Sequence, residues 1–370
     1  MIIRAIESKI KAKIGKGKAI IIIGPRQVGK TTLIKSILKD EAYLFLDGDD
    51  PTVRNLLTNS NTEQLKSIIG KNKIVFIDEA QRVENIGITL KIITDQFKDV
   101  QLLVSGSSAF ELNSKINEPL TGRKWEYQLF PVSWNEFEDD IGFVKATQQL
   151  ELRLIYGMYP DVINHTSEAY EVLKELANSY LYKDILSYNN IRKPEIIEKL
   201  LQALALQMGS EVSYNELSQF LGIDKNTVGN YIDILEKAFV IFKLKSFSRN
   251  LRKEIKANQK IYFYDNGIRN MIIGNFNALE LRQDKGALWE NFLISERIKK
   301  NHYQNSVAKP YFWRTVQQQE IDYVEEADGN ISAYEIKWNE HAKAKKHKIF
   351  DETYNAKTEI ISMKNFRTFI

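Results

Sequence analysis

Residues 19–38 read AIIIIGPRQVGKTTLIKSIL and decide the fold of the amino-terminal part of the chain. The run at 19–23 is β-branched and apolar on both faces, which is typical of a central strand in a parallel sheet. The segment after it matches GxxxxGK[ST], and a helical pattern follows directly, so the order predicts a phosphate-binding loop. The loop residues expected to contact a nucleotide are Gly24, Pro25, Arg26, Gln27, Val28, Gly29, Lys30, Thr31 and Thr32.

The residue types in this loop suit phosphate chemistry. Gly24 and Gly29 allow backbone N–H groups to wrap phosphate oxygens, and the N-terminus of the following helix adds partial positive charge. We expect Lys30 to reach the β and γ phosphates of ATP and Thr31 to hold Mg²⁺ through its hydroxyl. A chance glycine-rich turn is the alternative, and the position between a strand and a helix disfavours it.

A second apolar strand ends in two adjacent carboxylates, because residues 73–81 read KIVFIDEAQ. In phosphate-loop proteins an aspartate at this place orients magnesium and a glutamate activates the attacking water. We therefore assign Asp78 to the metal and Glu79 to the water. A solvated strand end is the alternative for both acids.

A third apolar strand, at 100–104, is followed by small polar residues. Ligands bind at the carboxyl edge of open α/β sheets, so Ser107 is our candidate for sensing the γ-phosphate. Arg123 lies soon after, in the segment LTGR, and an arginine supplied in cis or by a neighbouring subunit stabilises transition-state charge. A surface salt bridge is an equally good interpretation of Arg123.

The order of phosphate loop, strand-end acids, serine and LTGR resembles a prokaryotic group of AAA-type ATPases whose loop begins GPRQVGKTT. The segment at 130–136, FPVSWNE, resembles the end of that group's ATPase domain, and the likeness continues over nearly the whole chain. The resemblance implies an enzyme that binds and hydrolyses ATP with Mg²⁺. A phosphotransferase using the same loop is a weaker alternative, since no lid or acceptor-site signature is visible.

The middle of the chain has the spacing of a helix-turn-helix. Residues 213–221 and 225–236 form two amphipathic patterns around a turn at 222–224, and a strand pattern and a basic stretch follow. Together they look like a winged helix, a module that binds DNA or serves only in packing and protein contact. The candidate DNA contacts are Lys225, Asn226, Thr227 and Asn230 on the second helix, and Arg249, Arg252 and Lys253 in the wing.

The carboxyl-terminal part reads as a helix, three strands, a helix around 343–354 and a final strand. Residues two apart in a strand share a face, so we expect Glu335 and Lys337 to point the same way and to meet Asp322. Glu290 on the preceding helix would supply a further ligand. Such carboxylates bind Mg²⁺ or Mn²⁺, which polarises a phosphate and activates water.

This last arrangement resembles the PD-(D/E)XK nuclease fold, which commonly accompanies the ATPase group named above. The resemblance implies metal-dependent cleavage of nucleic acid, with Asp322, Glu335 and Lys337 as catalytic residues. The alternative is an intact fold without cleavage, which binds nucleic acid or docks a partner.

Composition limits the classes of protein. The chain has 370 residues, 52 Lys plus Arg against 48 Asp plus Glu, and no cysteine. Disulfides and zinc fingers are excluded, and any nucleic-acid site must be a local patch. The first residues lack a signal or membrane segment, so we expect a cytoplasmic protein with no membrane partner. Nucleic acid, with DNA preferred, is the expected partner, and the oligomeric state is left open.

The predicted fold class is α/β. We expect a P-loop AAA-type ATPase domain with a parallel sheet at 1–145, a helical region with a winged helix at 146–270, and a mixed α/β nuclease-like domain at 271–370.

Overall fold

The computed structural model describes residues 2–107, 116, 119–178, 194–248, 259–315, 317–341 and 347–370. Contacts divide the chain into two units. The first unit is Met1–Val132 with Lys237–Phe239, and the second is Ser133–Glu236 with Val240–Ile370. Each unit is built around its own sheet.

The sheet of the first unit has five strands in the order β2-β3-β4-β1-β5, and every neighbouring pair is parallel. The α/β fold with a parallel sheet is thus as predicted. The strands are β1 (Ala19–Ile23), β2 (Leu44–Asp47), β3 (Ile74–Asp78), β4 (Gln101–Gly106) and β5 (Lys124–Gln128).

Burial explains why the apolar runs in the sequence predict the central strands. All residues of β1, β3 and β4 are buried, as expected of central strands covered on both faces. The edge strand β5 is only half-buried, and its sequence alternates charged and aromatic residues. The described helices are α1 (Glu7–Lys11), α2 (Lys30–Ile37), α3 (Pro51–Leu57), α4 (Thr62–Ile69) and α5 (Ile86–Gln96), and a 3₁₀ turn covers Ala80–Arg82.

The second unit begins with helices that follow the first sheet in sequence. Ser133 starts the first of them with a capping box, in which its hydroxyl accepts from Glu136 N–H and the Glu136 carboxylate accepts from Ser133 N–H. The helices described up to residue 237 are α6 (Trp134–Ile141), α7 (Phe143–Tyr156), α8 (Pro160–Asn164), α9 (Ala169–Ala177), α10 (Pro194–Leu206), α11 (Tyr214–Leu221) and α12 (Lys225–Lys237).

The helices described in the rest of the second unit include its longest one, of 20 residues. They are α13 (Asn266–Ile273), α14 (Lys285–Gln304), α15 (Lys348–Tyr354) and α16 (Phe366–Phe369). Helix α15 lies within the predicted helix at 343–354, and residues 342–346 are outside the described part of the chain.

The second sheet has seven strands in the order β12-β11-β10-β9-β7-β8-β6. The strands are β6 (Glu211–Val212), β7 (Ile241–Ser246), β8 (Gln259–Phe263), β9 (Lys309–Arg314), β10 (Glu320–Ala327), β11 (Asn330–Ile336) and β12 (Thr358–Ile361). The pairs β7–β9 and β11–β12 are parallel and the other four are antiparallel.

This sheet crosses the predicted boundary near residue 270. Strand β7 belongs to the expected helical region, and it pairs with β9 of the expected nuclease-like region, with Lys245 opposite Tyr311 and Ser246 opposite Phe312. Hydrogen bonds between strands therefore join the two regions within one unit, where the sequence analysis expects separate domains.

Asn291 of helix α14 fixes the helix to β8. Its side-chain oxygen accepts from Phe263 N–H at 2.7 Å, and its amide nitrogen donates to Phe263 C=O at 3.0 Å and to Asn266 Oδ1 at 2.7 Å. Asn291 is completely buried, so no water replaces these bonds if the side chain is removed.

We expect Asn291→Leu to lower the free energy of unfolding by about 2–4 kcal/mol, because buried peptide groups of Phe263 lose their partners. Urea unfolding followed by far-UV circular dichroism measures the change. Gln304→Leu, an exposed position on the same helix, is the matched control and should stay within about 0.5 kcal/mol of wild type. Equal stability of the two variants would contradict this role of Asn291.

Candidate functional site

The phosphate-binding loop begins where the backbone packs against the segment after β5. A Cβ atom placed on Gly24 would lie 2.1 Å from the carbonyl oxygen of Leu129, so only glycine fits. The same segment is held by a hydrogen bond of 2.8 Å from Leu129 N–H to Ile23 C=O. Close backbone packing thus fixes the start of the loop.

Lys30 lies at the first position of helix α2 and is 5% exposed. Its ammonium donates to the loop carbonyls of Gly24 at 3.0 Å and Pro25 at 2.7 Å. The side chain is therefore folded back over the loop, as expected of a cation that moves to phosphate oxygens when a nucleotide binds. Gly29 gives helix α2 no side-chain cap, and a helix N-terminus favours a bound anion.

A residue that the sequence analysis did not single out supports the loop. Arg4 is 7% exposed and donates to Val28 C=O in the loop and to Phe130 C=O, each at 2.7 Å. One guanidinium thus ties the loop to the segment after β5. No sequence pattern marks Arg4, because its partners lie 24 and 126 residues away.

The structure brings together the residues predicted to hold magnesium. Thr31 donates its hydroxyl to Asp78 Oδ2 at 2.7 Å, and Ser105 donates to Asp78 Oδ1. A hydroxyl beside a carboxylate is an oxygen donor set that suits Mg²⁺ completed by phosphate and water oxygens. These residues fit the ion, and Asp78 is 6% exposed at the end of β3.

Glu79 follows Asp78 in a left-handed backbone conformation, with φ 46° and ψ 41°. This turn places Gln81 so that its amide donates to Glu79 Oε2 and, at 2.8 Å, to Ser107 Oγ. The candidate water-activating acid and the candidate phosphate sensor therefore share one partner. Gln81 belongs to the quoted KIVFIDEAQ stretch, but spacing alone gave it no role.

Arg123 lies at the opposite end of the sheet from the loop. It precedes β5, and its C=O accepts from Ala19 N–H at the start of β1, whereas the loop follows the end of β1. Its guanidinium donates to Asp95 at 2.6 Å, and this hydrogen bond lowers the pKa of the Asp95 carboxyl. Within its own chain, Arg123 therefore forms a salt bridge with Asp95. A contact between Arg123 and a nucleotide would require the nucleotide site of a neighbouring subunit.

The predicted helix-turn-helix residues lie on helix α12 and its start. Lys225, Asn226 and Asn230 are exposed and Thr227 is half-buried. Asp224 Oδ1 accepts from Asn226 N–H at 2.8 Å. The wing candidates Arg249, Arg252 and Lys253 lie outside the described residues.

Two predicted nuclease-like residues meet at the end of β11. Asp322 Oδ2 accepts from Ile336 N–H at 2.8 Å, and Lys337 Nζ lies 3.4 Å from the same oxygen. Asp322 is 9% exposed. The predicted contact between Asp322 and Lys337 is thus present.

Glu335 has a different partner. Its Oε1 lies 2.6 Å from His347 Nε2, and Glu335 is 2% exposed beside the apolar cluster that includes Ala333 and Phe350. Glu335 and Lys337 therefore have different partners, and their expected common face stays a prediction.

Glu290 lies in a buried group of charges. It accepts from Tyr262 O–H at 2.7 Å, and Lys260 Nζ lies 3.6 Å from Glu290 and 2.5 Å from Glu320. Lys260 is 1% exposed, so its ammonium is neutralised inside the protein by these acids.

This geometry does not support the prediction that Glu290, Asp322 and Glu335 form a metal centre. Within the described part of the chain, no three His, Asp or Glu side chains form a group able to hold a metal ion. Instead, Glu290 contacts Lys260 and Glu335 contacts His347. Sequence reasoning missed both partners, which come from other elements of the sheet and helices.

Three families match successive parts of the chain. Residues 16–138 match the AAA domain family, residues 147–279 a domain of unknown function (DUF8612), and residues 285–367 another domain of unknown function (DUF4143). With the loop geometry, the first match supports a P-loop ATPase domain of the AAA type.

Similar proteins come from distant organisms. An uncharacterized protein of Mycobacterium tuberculosis is 26% identical over 335 residues, covering 89% of this chain and 72% of that protein. An uncharacterized protein of Haemophilus influenzae is 25% identical over 352 residues, covering 87% and 84%. A Walker-type ATPase of Pyrococcus abyssi superimposes with a TM-score of 0.51 at 16% identity, covering 74% of this chain and 96% of that one, and thus shares its fold.

None of the helices in the described ranges combines the length and apolar character that crossing a bilayer requires.

The group around Glu290 makes stability depend on pH. Burial raises the pKa of Glu290 from 4.5 to about 7, and Lys260 opposes this shift. The unfolded chain releases this proton near pH 4.5, whereas the folded protein keeps it up to about pH 7. The contribution of Glu290 to the free energy of unfolding is therefore complete below pH 4.5 and is lost as pH rises through about 7.

We expect Glu290→Gln to remove this loss, so that the variant gains about 3 kcal/mol relative to wild type between pH 5 and pH 8. Urea unfolding over this range measures the difference. Glu280→Gln, an exposed acid before helix α14, is the control and should follow wild type. Parallel pH curves for wild type and Glu290→Gln would contradict the assignment.

Proposed function

We propose that this protein is an ATP-hydrolysing switch whose nucleotide state controls DNA binding by the second unit. The observation that carries the ATPase assignment is the Thr31–Asp78 hydrogen bond of 2.7 Å next to the folded-back Lys30. A hydroxyl, a carboxylate and an ammonium at one sheet edge are the groups that a nucleoside triphosphate with Mg²⁺ requires.

The residues act in sequence on the bound nucleotide. Backbone N–H groups of the loop bind phosphate oxygens, and Lys30 leaves the loop carbonyls for the β and γ phosphates. Magnesium, held by Thr31 and Asp78, would neutralise charge on the phosphates. Glu79 takes a proton from the attacking water, and Ser107 binds the γ-phosphate.

An arginine from a second copy of the chain is compatible with this mechanism. Arg123 cannot reach the loop of its own chain, because the length of β1 separates them, about 16 Å for its five residues. In an oligomer it would stabilise transition-state charge in the neighbouring site. Release from Asp95 would accompany that contact.

The proposed DNA contacts lie at the start of helix α12, in an arrangement of helices and β7–β8 strands that supports a winged helix. Helix α12 also carries the acidic residues Asp233 and Glu236, whose charges repel a phosphate backbone. In the fold, Lys243 of β7 lies 2.5 Å from Asp233 and 2.6 Å from Glu236, and so offsets part of their negative charge. Lys225 is exposed, as a contact with a phosphate backbone requires.

For the carboxyl-terminal region we propose a binding role without cleavage. Lys260 and His347 take the acids that a metal centre would need. The second candidate, metal-dependent DNA cleavage, is favoured only by the Asp322–Lys337 contact of 3.4 Å.

Two variants test ATP hydrolysis, one expected to lose ATP binding and the other to keep it. We expect Lys30→Ala to abolish ATP binding and turnover, and Glu79→Gln to bind ATP normally while kcat falls at least about 100-fold. Phosphate release and fluorescent-nucleotide titration measure these quantities. The exposed neighbour variant Glu84→Gln is the control. Retained turnover in Lys30→Ala would overturn the loop assignment.

DNA binding is tested with a labelled duplex and the full chain, with and without ATP, by fluorescence anisotropy. We expect affinity to change at least about fivefold between the two states, and Lys225→Glu to weaken binding about 3- to 10-fold through loss of a phosphate contact. Lys285→Glu, also exposed, is the control. Equal affinity in both nucleotide states would remove the basis for a switch.

The same samples with plasmid and Mn²⁺ or Mg²⁺ separate binding from cleavage. The binding proposal expects no cutting. Metal-dependent cutting that is lost in both Asp322→Ala and Lys337→Ala would instead establish the nuclease.

A further inference from the structure

Gln81 bridges two groups of the candidate active site. It is 3% exposed, and its amide nitrogen donates to Glu79 Oε2 and, at 2.8 Å, to Ser107 Oγ. Glu79 ends the stretch after β3, and Ser107 follows β4, so the bridge joins two neighbouring strands beyond their carboxyl ends. The amide thus fixes a distance between side chains that the backbone alone leaves adjustable.

The backbone around Gln81 is shaped for this contact. Glu79 is left-handed, with φ 46°, and the 3₁₀ turn Ala80–Arg82 follows, closed by Arg82 N–H donating to Glu79 C=O at 3.0 Å. A left-handed non-glycine residue costs free energy, so it persists where the surroundings require it. Here the turn directs the Gln81 side chain towards β4.

We infer that Gln81 is a positioning residue for ATP hydrolysis, which links the water-activating Glu79 to the phosphate-sensing Ser107. This inference rests on the ATPase function proposed above. Gln81 touches neither water nor phosphate in this role and acts through the orientation of Glu79. A carboxylate displaced by about 1 Å loses about 100-fold in rate, while nucleotide affinity, set by the loop, is unaffected.

The alternative interpretation is that Gln81 is a buried glutamine that only stabilises the first unit. The chain offers a matched example in Gln101, which is 8% exposed at the other end of the same sheet. Its oxygen accepts from Gly15 N–H at 2.7 Å and its nitrogen donates to Lys18 C=O at 3.0 Å. Replacement of Gln101 therefore measures the cost of losing a buried glutamine in this sheet, away from the nucleotide.

The test compares Gln81→Met, Gln81→Glu and Gln101→Met in the full chain. Methionine keeps the length of the side chain without the amide, and glutamate keeps its shape while a carboxylate oxygen replaces the donor. For both Gln81 variants we expect kcat to fall about 10- to 100-fold, with the KM and Kd for ATP within about threefold of wild type. Gln101→Met should keep kcat within about twofold.

A double variant distinguishes positioning from a separate effect. If Gln81 acts through Glu79, adding Gln81→Met to Glu79→Gln should cause no further loss of kcat. Losses that multiply, or an unchanged kcat in both Gln81 variants, would overturn the inference while the ATPase stands. A loss of ATP affinity in parallel with kcat would also overturn the inference, because it would indicate that Gln81 has only a structural role. No turnover in wild type would overturn both proposals.

Discussion

Parallel hydrogen bonding between β1, β3 and β4 is the constraint on which the candidate nucleotide site depends. Ile23 lies opposite Gly106, and Ile77 lies opposite Val104, so segments distant in sequence end at one edge of the sheet. Buried strands must satisfy all their peptide groups, which holds each register in place. The loop, the acidic pair and the sensor serine therefore meet there because of backbone pairing, and their side chains only adjust the final geometry.

In the second unit, charge neutralisation inside the protein decides what the acids are able to do. Lys260 is buried and must be paired, and Glu320 at 2.5 Å and Glu290 at 3.6 Å provide that pairing. A divalent cation at these acids would have to displace the Lys260 ammonium. Each of these acids therefore serves a contact inside the second unit.

The sequence predicted the elements whose signals are local. Asp78 was found because it closes an apolar strand, and strand ends in parallel sheets share an edge. Gln81 was missed because its direction depends on the left-handed turn at Glu79, which no periodicity reveals. His347 was missed as the partner of Glu335 because it lies 12 residues away in another segment, where strand alternation gives no sign of it. Pairing across long separations, as between β7 and β9, was not predictable for the same reason.

The parallel contact between β7 and β9 has a practical consequence for dissecting the protein. Families divide the second unit between residues 279 and 285, which invites fragments cut there. Such a cut would remove β9 and leave the outer side of β7, at Lys245 and Ser246, as an unprotected edge with free peptide groups. Exposed edges recruit strands from other molecules, so each half would tend to aggregate. The two matched regions of this unit share one sheet and are therefore best expressed together.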